Sequence, residues 1–194
     1  MTWTLGIPDG EFFQRKPERG LLTKAEVRVI ALSKLCIRPD STVWDIGGGA
    51  GSVTVEAALL ALQGRVYVIE KNAEDCENIR QNIAKFGAKQ VTLVEGNAPD
   101  GLDAWPDPDS VFIGGTGGRM SDIVHLSAHK LRAGGRLVVD AATIENLNEA
   151  MTCLKHEGLE VEATMVSIAR SKPILNLTRF DALNPVFVVT GWRS

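Results

Sequence analysis

The sequence predicts a doubly wound α/β fold, mostly parallel, with an antiparallel final strand. Three observations carry this. Short apolar segments alternate with segments of helical periodicity from residue 42 to residue 156. The strands TVWDI (42–46), RVYVIE (65–70) and RLVVDA (136–141) are nearly continuous apolar runs, as expected of parallel strands covered on both faces. A glycine-rich loop, GGGAG (47–51), joins the first strand to the helix after it.

Taken in order, residues 1–22 contain Gly6, Pro8, Gly10, Pro17 and Gly20 and are expected to form an irregular arm over the surface, preceding a single domain at 23–194. TKAE (23–26) reads as a capping box, with Thr23 as N-cap and Glu26 reaching back. Val27, Ile30, Ala31 and Leu35 follow at helical spacing, and Pro39-Asp40 ends the helix. After the strand at 42–46, a helix runs from about 51 to 62. The strand at 65–70 leads into a helix at 72–86 closed by Gly87. VTLVE (91–95) is the third strand, and VFIGG (111–115) the fourth. A helix at about 122–131 stops at Gly134-Gly135, a strand spans 136–141, and a helix at 145–156 ends at Gly158. LEVEATMVSI (159–168) and NPVFVVTGW (184–192) are the last strands. Because no helix separates them, one is expected to be antiparallel.

At 194 residues the chain can bury a good core as one domain. Its net charge of −3 offers no global attraction for nucleic acid or anionic membrane. No run approaches the roughly 18 apolar residues of a spanning helix. The start, MTWTLGIPDGEFF, lacks the features of a secretory leader. Cys36, Cys76 and Cys153 are odd in number and widely spaced, which reads as reduced thiols in a cytoplasmic protein.

The chemistry centres on VWDIGGGAGS (43–52). Ligands of doubly wound sheets sit at the carboxyl ends of the strands, where this loop lies. Glu70 ends the second strand at the spacing expected of an acid that accepts ribose hydroxyls. The glycines Gly47, Gly49 and Gly51 form GxGxG rather than the dinucleotide GxGxxG. Asp45 would repel a pyrophosphate and favour an ammonium or sulfonium. The competing view, that the glycines only make a turn and Glu70 is a solvated strand end, has both acids against it. The pattern DxGxGxG with an acid ending the next strand resembles the class I methyltransferases. That resemblance implies a Rossmann-like fold and S-adenosyl-L-methionine as cofactor. In EGNAP (95–99), Asn97 or the backbone at Ala98 is placed to meet adenine, with a plain turn as the alternative for the side chain. IGGTGGR (113–119) leaves space above the fourth strand, and no NPPY-like segment for adenine amines is present.

A more specific resemblance rests on GIPDGEF (6–12), LLTKAEVR (21–28), VWDIGGGAGSVTVEAA (43–58), EGNAPDGL (95–102), VFIGGTGG (111–118), AGGRLVVDAATIENL (133–147) and NPVFVVTG (184–191). Together they resemble the decarboxylating precorrin methyltransferases of cobalamin synthesis. The resemblance implies methylation of carbon 15 of a precorrin or cobalt-precorrin tetrapyrrole, with loss of the carboxyl of the carbon 12 acetate. It also implies a homotetramer, with a carbon 5 methyltransferase as partner domain or protein. Carried over by motif, Thr23, Asp45, Gly47, Gly48, Gly49, Ala50, Gly51, Glu70, Asn97 and Ala98 are cofactor candidates. Family members often have aspartate where this chain has Asn97. Gly114, Gly115, Thr116, Gly117 and Gly118 are candidates for facing the ring.

A ring bearing many carboxylates calls for local cations. Arg170, Lys172 and Arg179 lie in an acid-free stretch (163–180), Arg15, Lys16 and Arg19 in the arm, and Arg119 beside the glycine loop. Arg119, Arg170 and Arg179 are the substrate candidates. The sequence names no catalytic acid or base. His125 and His129 share a helix face, but without a third ligand at metal spacing they read as a surface or core pair. Glu74, Asp75 and Glu77 read as a solvated helix face. An RNA or protein methyltransferase is the runner-up, opposed by the modest charge. A nicotinamide oxidoreductase or nucleotide-binding module is third, opposed by Asp45 and the GxGxG spacing.

Overall fold

The computed structural model describes residues 3–15 and 22–193. The elements in order are α1 (Ala25–Lys34), β1 (Thr42–Ile46), α2 (Ser52–Leu60), β2 (Arg65–Glu70), α3 (Ala73–Phe86), β3 (Val91–Glu95), β4 (Ser110–Ile113), α4 (Met120–Lys130), β5 (Arg136–Ala141), α5 (Ile144–His156), β6 (Glu160–Val166), β7 (Ala169–Ile174), β8 (Leu177–Ala182) and β9 (Val186–Trp192). A seven-stranded sheet runs β3-β2-β1-β4-β5-β9-β6. β1 to β5 are parallel, and β9 inserts antiparallel between β5 and β6. The expected doubly wound sheet and antiparallel final strand are both present. The order reverses between β2-β1 and β4, the switch point where open α/β sheets open a crevice.

Both faces of the sheet are covered at its centre, which is why β1, β4 and β5 lack polar alternation. On one side Trp44, Ile46, Ile113, Val139 and Val189 pack with α4 and α5 residues such as Ile123 and Leu154. On the other, Val43, Val66, Phe112 and Val138 meet α1 and α2 through Leu32 and Ala57. Local caps are mostly as their residues suggest. Asn72 Oδ1 accepts from Glu74 N (3.0 Å) and Asp75 N (3.2 Å), and Gly87 closes α3 at φ 68°.

Three expectations change, one of them the arm, which is expected over the surface and whose described part packs into the core. The capping box at Thr23 does not form. Lys24 is the N-cap of α1, without a side-chain hydrogen bond, and Ala25 N instead donates to Asp9 Oδ1 at 2.9 Å. An acid 16 residues upstream displaces the local cap, and Glu26 turns to Arg170 (2.9 Å). Third, the stretch between the last two expected strands folds back as the β7–β8 hairpin, a two-stranded sheet of its own. Pro173 and the short mixed segments conceal its alternation, and Leu175 takes φ 53° at the turn.

The described part of the arm is built into the core. Ile7 and Phe12 are buried against Val55 and Ala50. Glu56, fully buried on α2, accepts from Gly6 N (3.0 Å) and Ile7 N (2.8 Å) and pairs with fully buried Arg28 of α1 (2.7 Å). Arg28 also donates to the carbonyls of Thr23 and Ile7. Asn82 of α3 bonds Phe13 through both its amide ends and reaches the carbonyl of Ala50 at 2.8 Å. Breaking a buried pair on one side leaves an uncompensated charge. Arg28→Met should therefore destabilise the protein by about 3–5 kcal/mol, whereas Arg28→Met with Glu56→Gln should recover part of that loss; urea denaturation midpoints measure both.

Candidate active site

β1 and β4 end side by side, Ile46 opposite Ile113, and both run into glycine. Gly114 N and Gly115 N donate to Ile46 O at 2.9 and 3.3 Å. Gly47 has φ +76°, and a Cβ there would stand 2.6 Å from Gly115 O and 2.7 Å from Gly115 N. The two loops touch main chain to main chain, so neither can rise into the space above. Glu70, ending β2, accepts from Gly49 N through Oε2 and from Asn72 N through Oε1, each at 2.9 Å. Its carboxylate holds the glycine loop to the turn before α3 and retains lone pairs for a ligand.

Above these ends lies a cleft of about 720 Å³, a size suited to a small-molecule ligand. Thr23, Gly47, Gly48, Gly49, Glu70, Asn97, Ala98, Gly114, Gly115, Thr116 and Gly117 all line it. The sequence reading therefore brings together its cofactor loop, the acid of β2, the β3 turn and the glycines of β4. Ala50 and Gly51 lie behind the loop: Ala50 is buried, and Gly51 is the N-cap of α2. Gly118 is outside the lining.

Asp45 is also below the cleft rather than in its wall. It is buried under the glycine loop, with the Thr54 hydroxyl donating to Oδ2 and Oδ1 unpartnered. Burial, opposed by the Thr54 hydrogen bond and reinforced by the nearby Glu70 charge, pushes its carboxyl up to about 7. The acid missed by the sequence reading is Asp140, near the end of β5. It lines the cleft, one of its oxygens is buried without a partner, and burial followed by the Asp45 charge pushes it up to about 8. The available signal was the one used for Asp45 and Glu70, an acid at the carboxyl end of a parallel strand.

The arginine candidates fare differently. Arg119 donates to Asp100 (2.7 Å) and Asp122 (3.3 Å), and it lies outside the cleft lining. Arg170 is held by Glu26 and by Asp9 (3.1 Å), which raise its pKa, Glu26 most. Arg179 stands on β8, 3.6 Å from Asp181, which also pairs with Lys172. The stretch is acid-free in sequence but not in space, so these arginines are engaged on the outer surface. The cations lining the cleft are Arg15, Lys24 and Lys71. Lys16 and Arg19 lie outside the described residues. Asp75 is no solvated residue: it is buried, lines the cleft and pairs with Arg15 at 2.8 Å, while Glu74 and Glu77 are exposed. His125 and His129 do share a face, at the surface, where both turn to Glu157 at the end of α5 (3.0 and 3.6 Å).

A cleft over paired glycine loops, with a carboxylate at the end of β2, suits an adenosine ligand. The fold is that of the class I S-adenosylmethionine-dependent methyltransferases. Residues 13–193 match the family model described as "Precorrin methyltransferase domain", and the chain belongs to that family. A relative from Pyrobaculum calidifontis, described as a probable cobalt-precorrin-6B C(15)-methyltransferase (decarboxylating), is 41% identical over 99% of this chain and 100% of its own. The crystal structure of precorrin-6y C5,15-methyltransferase from Geobacter metallireducens GS-15 superposes with a TM-score of 0.94, at 41% identity and 100% coverage of both chains. That of precorrin 8W decarboxylase from Methanobacterium thermoautotrophicum gives 0.90, at 35% identity, covering 95% of this chain and 98% of that one.

Asp140 has a consequence for stability. In the unfolded chain an aspartate loses its proton near pH 4, whereas in the fold Asp140 keeps it to about 8. The native state thus binds more protons across that window, and stability falls as pH rises through it. Asp140→Asn removes this dependence. Between pH 5 and pH 9 the stability difference should move in the variant's favour by on the order of 4 kcal/mol, read from denaturation midpoints at each pH.

Proposed function

We propose that the chain methylates carbon 15 of a precorrin or cobalt-precorrin ring, with S-adenosyl-L-methionine as donor, and removes the carboxyl of the carbon 12 acetate, within cobalamin biosynthesis. The observation that carries this is the single cleft in which the donor-type loop of β1 meets the open glycine loop of β4, in a chain of this family. Glu70 would accept hydrogen bonds from the ribose, and the Asn97-Ala98 turn would meet the adenine. Thr23 and Gly47–Gly49 would complete the donor's surroundings. When bound there, the sulfonium supplies a methyl group already activated for attack by a carbon nucleophile.

The chain's part in methyl transfer is then mainly placement. An enamine-type ring carbon needs no dedicated base, and alignment in a shared cleft supplies roughly 7–11 kcal/mol of barrier reduction. Gly114, Gly115 and Gly117, without side chains, leave a flat approach for a planar macrocycle. Lys24 and Lys71 in the lining give its carboxylates cationic partners, while Arg15 is held by Asp75. For decarboxylation, the conjugated ring itself is the electron sink.

Three finer points belong to the same proposal. The described part of the arm acts as one unit with the methyltransferase domain at 23–194, through Glu56 and Asn82. The protein works in the cytoplasm, where Cys36, Cys76 and Cys153 stay reduced, with a carbon 5 methyltransferase as its partner domain or protein. It assembles as a homotetramer through the β7–β8 hairpin, whose Leu175 (96% exposed), Phe180 (72%) and Leu177 (67%) are too apolar for a free surface.

Incubation of the protein with S-adenosyl-L-methionine and the precorrin, with and without cobalt, followed by mass spectrometry, tests the reaction. The expected product has gained CH2 and lost CO2; an unchanged ring in both cases, with the donor bound, refutes it. Light scattering of the purified protein should give four times the 21.0 kDa chain mass, and a monomer would refute the assembly.

A further inference from the structure

The decarboxylation half of the proposed reaction has a requirement that the cleft must meet. Loss of CO2 from an acetate side chain breaks a carbon–carbon bond and sends the electron pair into the conjugated ring. The remaining exocyclic carbon must then gain a proton to become a methyl group. Water could deliver it, but a water-excluding site favours a fixed acid that holds its proton at neutral pH.

The cleft wall contains one group with that character. Asp140 lies one residue before the end of β5, opposite Val188 of β9 and at the same sheet edge as the glycine loop of β4. The cleft lining it shares includes the apolar Val53, Phe112, Ala142 and Val186 alongside Ser52 and Asn184. One carboxyl oxygen is buried with no hydrogen-bond partner, so nothing in the described fold anchors that oxygen as an anion. The charged groups bearing on it are acids: Asp45 on β1 raises its proton affinity, and Asp45 is itself raised by Glu70 from β2. A structural role would require partners for the buried oxygen, as Glu56 and Asp75 have for theirs. Asp140 is instead left as an unpaired acid facing the place where the ring would lie.

Resting on the functional reading above, we infer that Asp140 is the proton donor of decarboxylation. The Asp140 carboxyl hydrogen is transferred to the exocyclic carbon as the ring returns its electron pair. The products are the ring methyl group and the Asp140 carboxylate, and solvent restores the proton after release. Net, one acetate carboxylate and one proton become CO2 and a methyl group. The other acids of the site are occupied differently: Glu70 is fixed by Gly49 N and Asn72 N, and Asp75 by Arg15.

The test compares wild type, Asp140→Asn and Asp140→Glu for CO2 release, ring mass and donor affinity by calorimetry. The stability argument above predicts that Asp140→Asn folds, and circular dichroism verifies this. The inference expects Asp140→Asn to lose CO2 release by about 10²–10⁴-fold while donor affinity stays within about threefold, and Asp140→Glu to regain part of the rate. Wild-type CO2 release from Asp140→Asn overturns it. A donor affinity that falls in step with turnover also overturns it, because Asp140 would then serve the donor's cation. A wild-type protein that leaves the ring unchanged refutes the functional reading itself and this inference with it, so the two failures are separable.

Discussion

The architecture of the site depends on one contact, the main-chain approach of Gly47 to Gly115. No side chain fits at Gly47, because its Cβ position is already taken by the carbonyl and amide of the β4 loop. That exclusion brings the ends of β1 and β4 together at the switch point and keeps the crevice open above them. The loop is held from the other side by Glu70, which bonds Gly49 N and Asn72 N. Three strand ends are thereby locked, two through backbone contact and the third through the Glu70 carboxylate. The cleft is preformed, and its floor has no rotamers to order when a ligand enters.

Around this floor the fold keeps acids of two kinds. Glu56, paired with Arg28, and Asp75, paired with Arg15, hold the arm and α3 in place, and their charge is neutralised where it lies. Asp45 and Asp140 are buried with incomplete pairing and raised proton affinity. The first pair serves the fold. The second costs stability at alkaline pH, which a protein retains where the chemistry needs it.

The sheet was legible because its signal is periodic and local: apolar strands of five or six residues, capped helices and glycine stops. The glycine loop with Asp45 and Glu70 was legible because it lies within 26 residues of chain. What failed was non-local. The box at Thr23 is locally well formed, yet Asp9 caps the helix. Arg119 and Arg170 looked available because Asp100, Glu26 and Asp9 lie elsewhere in the chain, whereas Asp122 beside Arg119 and Asp181 beside Arg179 are close enough in sequence to have been read there. Asp75 looked solvated because its partner comes from the arm. Asp140 carried the same strand-end signal as Glu70, but without a glycine loop after it nothing drew attention to it.

The central claim is that the paired glycine loops form the donor end of a single reaction cleft. A crystal structure of the protein with S-adenosylhomocysteine measures this most directly. The account predicts the ribose within hydrogen-bond distance of Glu70 and the adenine against the Asn97-Ala98 turn. The thioether sulfur should face the gap between Gly47 and Gly115, with Asp140 on the ring side. A nucleoside bound anywhere else, or one leaving Glu70 without a ribose contact, would contradict it.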